Sequence, residues 1–414
     1  MTNEMLSLPL RKLNYRRILA WGGGLSLLAY FVFAWTSMWA DHYQRTGSDF
    51  MGFYNFGRIY ETKDIQSIYE IKEQERIEEE VVGHPVTVIF YTHLPFIAPL
   101  AQLIVNENYL ESFTRWAIIL LLLNVVNVYL LVRTLEIKKF TKENLFILCM
   151  GAFLFDPTFS GLMNGQDIAL LLLGVILWVR GLYSKDYFWA GIGLSLTTIR
   201  PQIALLLAIP FFFRHRKVFW GFALGSLVLA GISFWLLKFD GALKFIESIQ
   251  YIEGTIWREP HAFDMPTISG ILRRNFEITD PALAKNFVWI IYILGIAGFS
   301  FWWHRSEEIT ERHIGLITLA AIFLLPYAHY HELTLLLIPI FCLIRMLQKS
   351  DAVQQYYLAV LPLIVSWLSA LGFIGSGSMK FPIIYSVMIV LAYMLVTRGR
   401  VLQTNPQLAV EGQG

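Results

Sequence analysis

Five places along the chain carry residue types that could do chemistry. The first is Asp49, in Gly47-Ser48-Asp49-Phe50-Met51-Gly52-Phe53-Tyr54. An acid set among aromatics, if buried, has its pKa raised toward the working range of a general base. A solvated loop carboxylate is the plainer reading. Asp41 is a second acid of the same kind, closer to the apolar run that precedes both. The second place is Arg200-Pro201-Gln202, between two apolar half-runs. A guanidinium there is costly unless it pairs with an anion or snorkels. Pro201 breaks a helix, and a phosphate near the membrane surface suits the bidentate fork of Arg. An internal ion pair would meet the same need. The third is Asn164-Gly165-Gln166-Asp167, ahead of a Leu-rich run. Asn164 or Asp167 could cap a helix, or Gln166 could turn into an outward cavity and bind a sugar hydroxyl.

The fourth place is Tyr327-Ala328-His329-Tyr330-His331-Glu332. Two His and a Glu invite a metal reading, but His329 and His331 would point about 200° apart on a helix, unlike the i, i+4 pair of a zinc protease. An interfacial cap and a substrate-binding His remain. The fifth is a segment with Arg258, His261 and Asp264, then Pro266 to Gly270 and Arg273-Arg274. Basic residues in an outward loop run against the positive-inside trend, so they are candidates to hold an anion; solvated loop charges are the alternative. No Walker A, Gly-x-Ser-x-Gly, Cys-x-x-Cys or dinucleotide-binding motif is present, so a nucleotide-driven reaction has no support.

The elements that must position these groups are membrane helices. Only 15% of the 414 residues are charged against roughly 25% in soluble domains. Hydrophobic residues reach 56% and aromatics 15%. Apolar runs recur from one end to the other, which excludes a cytosolic enzyme, a disordered chain and a single-span receptor. The runs are continuous rather than alternating, against a β-barrel. A net charge of +2 gives nucleic acid no footing as a partner. Cys149 and Cys342 each lie inside an apolar run and read as small packed residues, not a disulfide.

Arg11, Lys12, Arg16 and Arg17 precede a first run at about Ile18 to Ala40, a retained signal anchor with its N-terminus inside. Residues 41–93 form a polar segment in which Ile65, Ile68, Ile71 and Ile77 fall near helical spacing, as in helices lying on the membrane surface. Leu94–Val105, with Pro95 and Pro99, is short: a re-entrant segment or a true second span that would turn Lys138–Lys142 outward. Eleven more runs follow, from Arg115–Leu131 to Ile383–Val396. The expectation is an all-α polytopic bundle of about 12 spans, residues 1–400 as one domain, with both termini inside. An outward cavity would be roofed by 41–93 and 238–286, and residues 401–414 would form a disordered tail. Several runs are too short to cross, so broken helices are expected. Arg214–Lys217, Arg305–Arg312, Arg345–Lys349 and Arg398–Arg400 would face the cytoplasm.

Asp49 with Tyr54, Ile68-Tyr69, Tyr91-Thr92-His93-Leu94-Pro95, Gly165-Gln166, Ile199-Arg200-Pro201-Gln202 and Leu325-Pro326-Tyr327 before His329 and His331 stand in one order. This order resembles the polytopic glycosyltransferases of family 87, in the GT-C superfamily, a group that includes polyprenol-phosphate-mannose-dependent mannosyltransferases. The resemblance covers about residues 18 to 350. It departs at Arg200-Pro201, where the family usually has Lys-Pro, and in the charged loop between Glu70 and Val88. It implies an inverting transfer of a mannose-like hexose from a polyprenyl-phosphate sugar to a lipid or glycan acceptor. The reaction would run on the extracytoplasmic face of the cell membrane, without metal or other cofactor. Asp49 takes the general-base role. Arg200, Arg273 and His331 are the candidates for the donor phosphate, and Tyr54, Tyr91, Gln166 and His329 for substrate contacts. A secondary transporter and a polysaccharide polymerase or ligase are the competing readings; no repeated halves support the first.

Overall fold

The computed structural model describes residues 15–86, 88–90, 93–138, 140, 142–254, 265–276, 281–306, 308–349, 356–370 and 380–404. Every element among them is helical. In chain order these are α1 (Tyr15–Ala40), α2 (His42–Thr46), α3 (Phe50–Thr62), α4 (Ile71–Val82), α5 (Ala98–Ile104), α6 (Tyr109–Thr134), α7 (Lys142–Phe153), α8 (Asp156–Met163), α9 (Ile168–Tyr183), α10 (Tyr187–Ser195), α11 (Pro201–Ala208) and α12 (Pro210–Phe213). There follow α13 (Arg216–Gly254), α14 (Ile268–Phe276), α15 (Pro281–Arg305), α16 (Glu311–Leu324), α17 (Leu337–Lys349), α18 (Tyr356–Ala359), α19 (Leu361–Ala370) and α20 (Lys380–Thr404). A short 3₁₀ turn, Tyr330–Leu336, leads into α17.

Each apolar run of the sequence became a helix, but fewer of them are long enough to cross than the twelve expected. Among the described residues five are long and apolar enough by length and composition, or six if α7 and α8, bent by 43°, count as one. Five shorter apolar helices make up much of the remainder. The shortness has local causes. Pro157 and Pro201 sit in the first turns of α8 and α11, and Gly165, at φ +72°, separates α8 from α9. The segment before α17 tightens into a 3₁₀ turn at His329. These interruptions meet one another in space, where the candidate site lies.

Two surfaces distinguish the long helices. In α1, α6, α13 and α15 only 17 to 33% of the most apolar window is buried, whereas Tyr330–Lys349 is 89% buried. Val32 and Phe33 of α1, Leu122 and Val125 of α6, and Ile293 and Leu294 of α15 are exposed apolar side chains, as a lipid-facing surface requires. The segment containing α17 is the centre of the bundle.

The chain between α1 and α6 stays at one end. The Tyr109 hydroxyl, at the first residue of α6, lies 3.2 Å from the Ser48 hydroxyl and donates to the Arg45 carbonyl at 3.0 Å. Residues 45–109 therefore leave and return to the same place, and α5, seven residues long, is shorter than a membrane-crossing helix needs. α6 then runs 26 residues, about 39 Å at 1.5 Å per residue, to the other end. There the Thr134 carbonyl accepts from Arg345 at 3.2 Å and the Lys138 amide donates to Gln348 at 3.1 Å. Lys138 thus shares an end with Arg345 and Lys349. Arg214 joins His304 through its carbonyl at 3.1 Å. At this end Glu311, 5% exposed, is held by Arg345 at 3.0 Å and Lys349 at 2.7 Å.

The polar segment after α1 folds as amphipathic helices, as the Ile spacing predicted. Ile77 and Gln74 of α4 face inward. Glu78 is buried beside them, and burial pushes its carboxyl up; it accepts from the Ile89 amide at 3.0 Å and from Asn55 at 3.4 Å. The part of α13 beyond a break at Lys238 (φ 54°) lies over this segment: Lys244 pairs with Glu70, and Phe245 meets the Tyr69 ring at 4.8 Å.

Candidate active site

Asp49 is placed by its neighbours rather than by bonds of its own. It precedes α3, yet its carboxylate does not cap that helix and is exposed. The burial among aromatics expected from the sequence is therefore not found: Phe50, Met51, Phe53 and Tyr54 turn inward and leave the acid outside. The Phe50 amide donates to the Asn164 carbonyl at 2.8 Å, its ring stacks on Phe113 at 4.7 Å, and Phe53 stacks on Trp116 at 4.5 Å. Trp116 in turn donates to the Gly165 carbonyl at 2.7 Å. Asp41 is spent locally, accepting from the Tyr43 and Gln44 amides at 2.9 and 3.2 Å to start α2.

Gly165 is the residue that lets the two loops meet. A Cβ there would stand 2.5 Å from that of Phe50, at a φ that already disfavours any side chain. Gly165→Ala is expected to cost at least about 1–2 kcal/mol from the backbone alone, and more from displacing Phe50. The measurable outcome is a lower unfolding temperature in detergent together with reduced activity, because Asp49 moves with Phe50.

Arg200 is the hub of a buried ion network. It sits in the break before α11, 8% exposed, and all three guanidinium nitrogens are engaged. Nε donates to Glu332 at 3.1 Å, Nη1 meets His93 Nδ1 at 2.7 Å, and Nη2 donates to the Gln166 side-chain oxygen at 3.1 Å while lying 3.0 Å from Asp167. Glu332 also accepts from the His329 amide at 2.6 Å and faces His331 Nε2 at 3.3 Å. The Asp167 and His331 contacts are ion pairs by distance without hydrogen-bond alignment. Asp49 lies within electrostatic reach of both Arg200 and His331. The four breaks at 49, 166, 200 and 331 thus converge on one site. Among the described residues no three of His, Cys, Asp and Glu are set to hold a metal ion; the guanidinium is the cation that Asp167 and Glu332 surround.

The residues singled out in the sequence fare differently. Asp49, Gln166, Arg200 and His331 come together. His329 lies beside them, its ring bonded to the Tyr327 hydroxyl at 2.8 Å. Tyr54 does not join: it is 2% exposed and its hydroxyl donates to the Glu107 carbonyl at 2.9 Å. Arg273 is half-buried on α14 and is not among the partners of Arg200; its neighbour Arg274 is fixed over the Phe381 ring at 3.6 Å. Tyr91, Arg258, His261 and Asp264 lie outside the described residues. Asp167, Glu332 and His93 were not singled out as site residues, although a guanidinium between apolar runs demands an acid, and two of the quoted motifs contain one.

No curated protein and no solved structure matches the chain. The family model for glycosyltransferase family 87 matches residues 92–326, a stretch that holds His93, Gln166, Asp167 and Arg200 and stops short of Asp49 and His331. With more than half of its length matched, this all-helical membrane protein belongs to glycosyltransferase family 87.

Proposed function

We propose that this glycosyltransferase moves a hexose from a polyprenyl-phosphate sugar to a hydroxyl of a lipid or glycan acceptor, with inversion, at the extracytoplasmic face. The observation that carries the reading is an exposed carboxylate, Asp49, within electrostatic reach of the Arg200 network, beside the Asn164 turn and at the end of the bundle opposite Arg214, Arg345 and Lys349. By the positive-inside rule the basic end is cytoplasmic, and the Asp49 end is the outer one.

In the reaction the acceptor oxygen attacks the anomeric carbon and the bond from that carbon to the phosphate oxygen breaks. Asp49 takes the acceptor's proton, and the polyprenyl phosphate leaves with one more negative charge than the donor phosphodiester carried. The phosphate is a competent leaving group once cations face it. Arg200 is committed to Glu332, His93 and Gln166, so its part is to build the pocket. His331 would meet the leaving phosphate, with Arg273 of α14 as a further candidate, and His329 and Tyr91 would contact substrate. Gln166, held by Arg200 through its oxygen, keeps its NH₂ for a sugar hydroxyl.

The test is transfer by the purified protein in nanodiscs, comparing polyprenyl-phosphate sugars with nucleotide sugars. Product of inverted anomeric configuration from the lipid-linked donors alone is expected. Turnover of nucleotide sugars in their place would overturn the reading.

A further inference from the structure

A buried acid outside the Arg200 network ties three parts of the outer end together. Glu78, on α4, is 3% exposed. It accepts from the Ile89 amide at 3.0 Å and, more loosely, from the Asn55 side chain of α3 at 3.4 Å. Asn55 is itself fully buried, and its side-chain oxygen has no partner among the described residues. Its NH₂ is spent on Glu78. The chain at Ile89 also lies hard against α3. A Cβ on Gly52 would stand 3.1 Å from the Ile89 carbonyl oxygen and 3.4 Å from the Phe90 carbonyl group. Glycine at 52 lets this strap approach the first turn of α3, three residues after Asp49. The first half of α3 is therefore held by Glu78 in two ways: directly at Asn55, and through the strap that Glu78 fastens over Gly52.

Among the described residues no cation pairs with Glu78. The charged side chains of the elements around it are engaged elsewhere. Arg45 of α2 donates to the Trp39 carbonyl, and Arg58 of α3 pairs with Glu61. On α4 itself Arg76 bridges Glu73 and Glu80. Tyr109 of α6 is within electrostatic reach, but its hydroxyl is taken by Ser48 and the Arg45 carbonyl. Tyr54 of α3 donates to the Glu107 carbonyl. An ionised Glu78 would be a buried charge without compensation, so burial favours the neutral acid, which still keeps an acceptor oxygen. Its pKa in the folded protein stands above that in the unfolded chain. Its contribution to stability is therefore complete at low pH and is lost as pH rises through the folded value.

We propose that Glu78 is a positioning residue: it fastens Ile89 and Asn55 to α4, and so holds the first half of α3, and Asp49 ahead of it, in place for the transfer. The inference rests on the reading of Asp49 as the base, which the Asp49→Asn variant tests separately. Glu78 itself touches no reacting atom. A neutral acceptor is all that the clasp needs, so glutamine, with the same shape and an acceptor oxygen, should serve as well as glutamate. Leucine, of similar size but with no acceptor, should not. The wild-type clasp alone should weaken with rising pH, because glutamine does not ionise.

The experiment compares wild type, Glu78→Gln and Glu78→Leu in nanodiscs. Residue-resolved hydrogen exchange at the Ile89 amide reads the clasp with no substrate present. Steady-state kinetics, with whichever sugar donor the wild type turns over, read the positioning. In Glu78→Leu the Ile89 amide is expected to exchange about tenfold or more faster, with kcat about 10- to 100-fold lower and the donor KM unchanged. Glu78→Gln should match the wild type at acid pH. As pH rises, its Ile89 amide should become the better protected of the two and its kcat the higher. Wild-type exchange in Glu78→Leu would overturn the clasp, and faster exchange with wild-type kcat would overturn the positioning. Glu78→Gln behaving as Glu78→Leu does would overturn the neutral acceptor. Should Glu78→Leu not fold, the comparison of wild type with Glu78→Gln decides: ratios of protection and of kcat that stay constant with pH would overturn the proposal.

Discussion

Asp49→Asn is expected to lower turnover by about 10²- to 10⁴-fold, the usual loss when a general base is removed. Asparagine keeps the shape and hydrogen-bonding of the side chain but does not accept a proton at neutral pH. Asp49 is exposed and caps no helix, so the substitution removes no stabilising contact, and the unfolding temperature should stay at the wild-type value. Donor binding should persist, because the carboxylate addresses the acceptor. A turnover assay and a donor-binding assay on the same purified variant separate these outcomes. Turnover near the wild-type rate would remove Asp49 from the chemistry. His331 would then be the next candidate, since Asp41 is already occupied in starting α2.

Arg200→Ala should act on a different quantity. It would leave Asp167 and Glu332, 7% and 4% exposed, without the cation between them. Removing one partner of a buried ion pair typically costs about 3–5 kcal/mol. The expected result is a sharp fall in folded yield and unfolding temperature, with activity lost as a consequence. Arg200→Lys keeps the charge but loses the fork that reaches Glu332, His93 and Gln166 together, so partial stability and partial activity are expected. Adding Asp167→Asn and Glu332→Gln to Arg200→Ala should restore folding without restoring turnover. If Arg200→Ala instead folded at the wild-type temperature and only raised the donor KM, Arg200 would be a direct phosphate ligand and its internal pairing incidental.

The elements were legible because each is written locally. Apolar runs with Gly165 and Pro201 between them mark helices, but the run Leu145–Ser160 breaks into two ahead of Pro157, and the helix begun near Val218 continues past Leu237 to Gly254. What those runs do relative to a membrane was not: a run of apolar residues does not say whether it crosses, and α5 and α6 differ only in how far they continue before turning. The site was half legible. That Arg200 needs an anion follows from where it stands, but which anion does not. Glu332 is 132 residues away and Gln166 34, and such pairings depend on how the bundle is wound. Tyr54 shows the opposite failure. A tyrosine near a candidate base reads as a substrate contact until the packing takes its hydroxyl for the Glu107 carbonyl.

The two charged clusters at the ends of the bundle bear on how its parts could move. α16 and α17 are tied at one end where Arg345 and Lys349 grip Glu311, and the turn between them is tied at the other where Glu332 grips Arg200. A machine that carries solute by rocking must loosen one gate while the other shuts. This central hairpin is held at both ends at once by buried ion pairs, and losing either partner of one would leave the other charge buried and uncompensated. The bundle core is thus tied at both ends, with Glu311 fixed at one and Glu332 at the other.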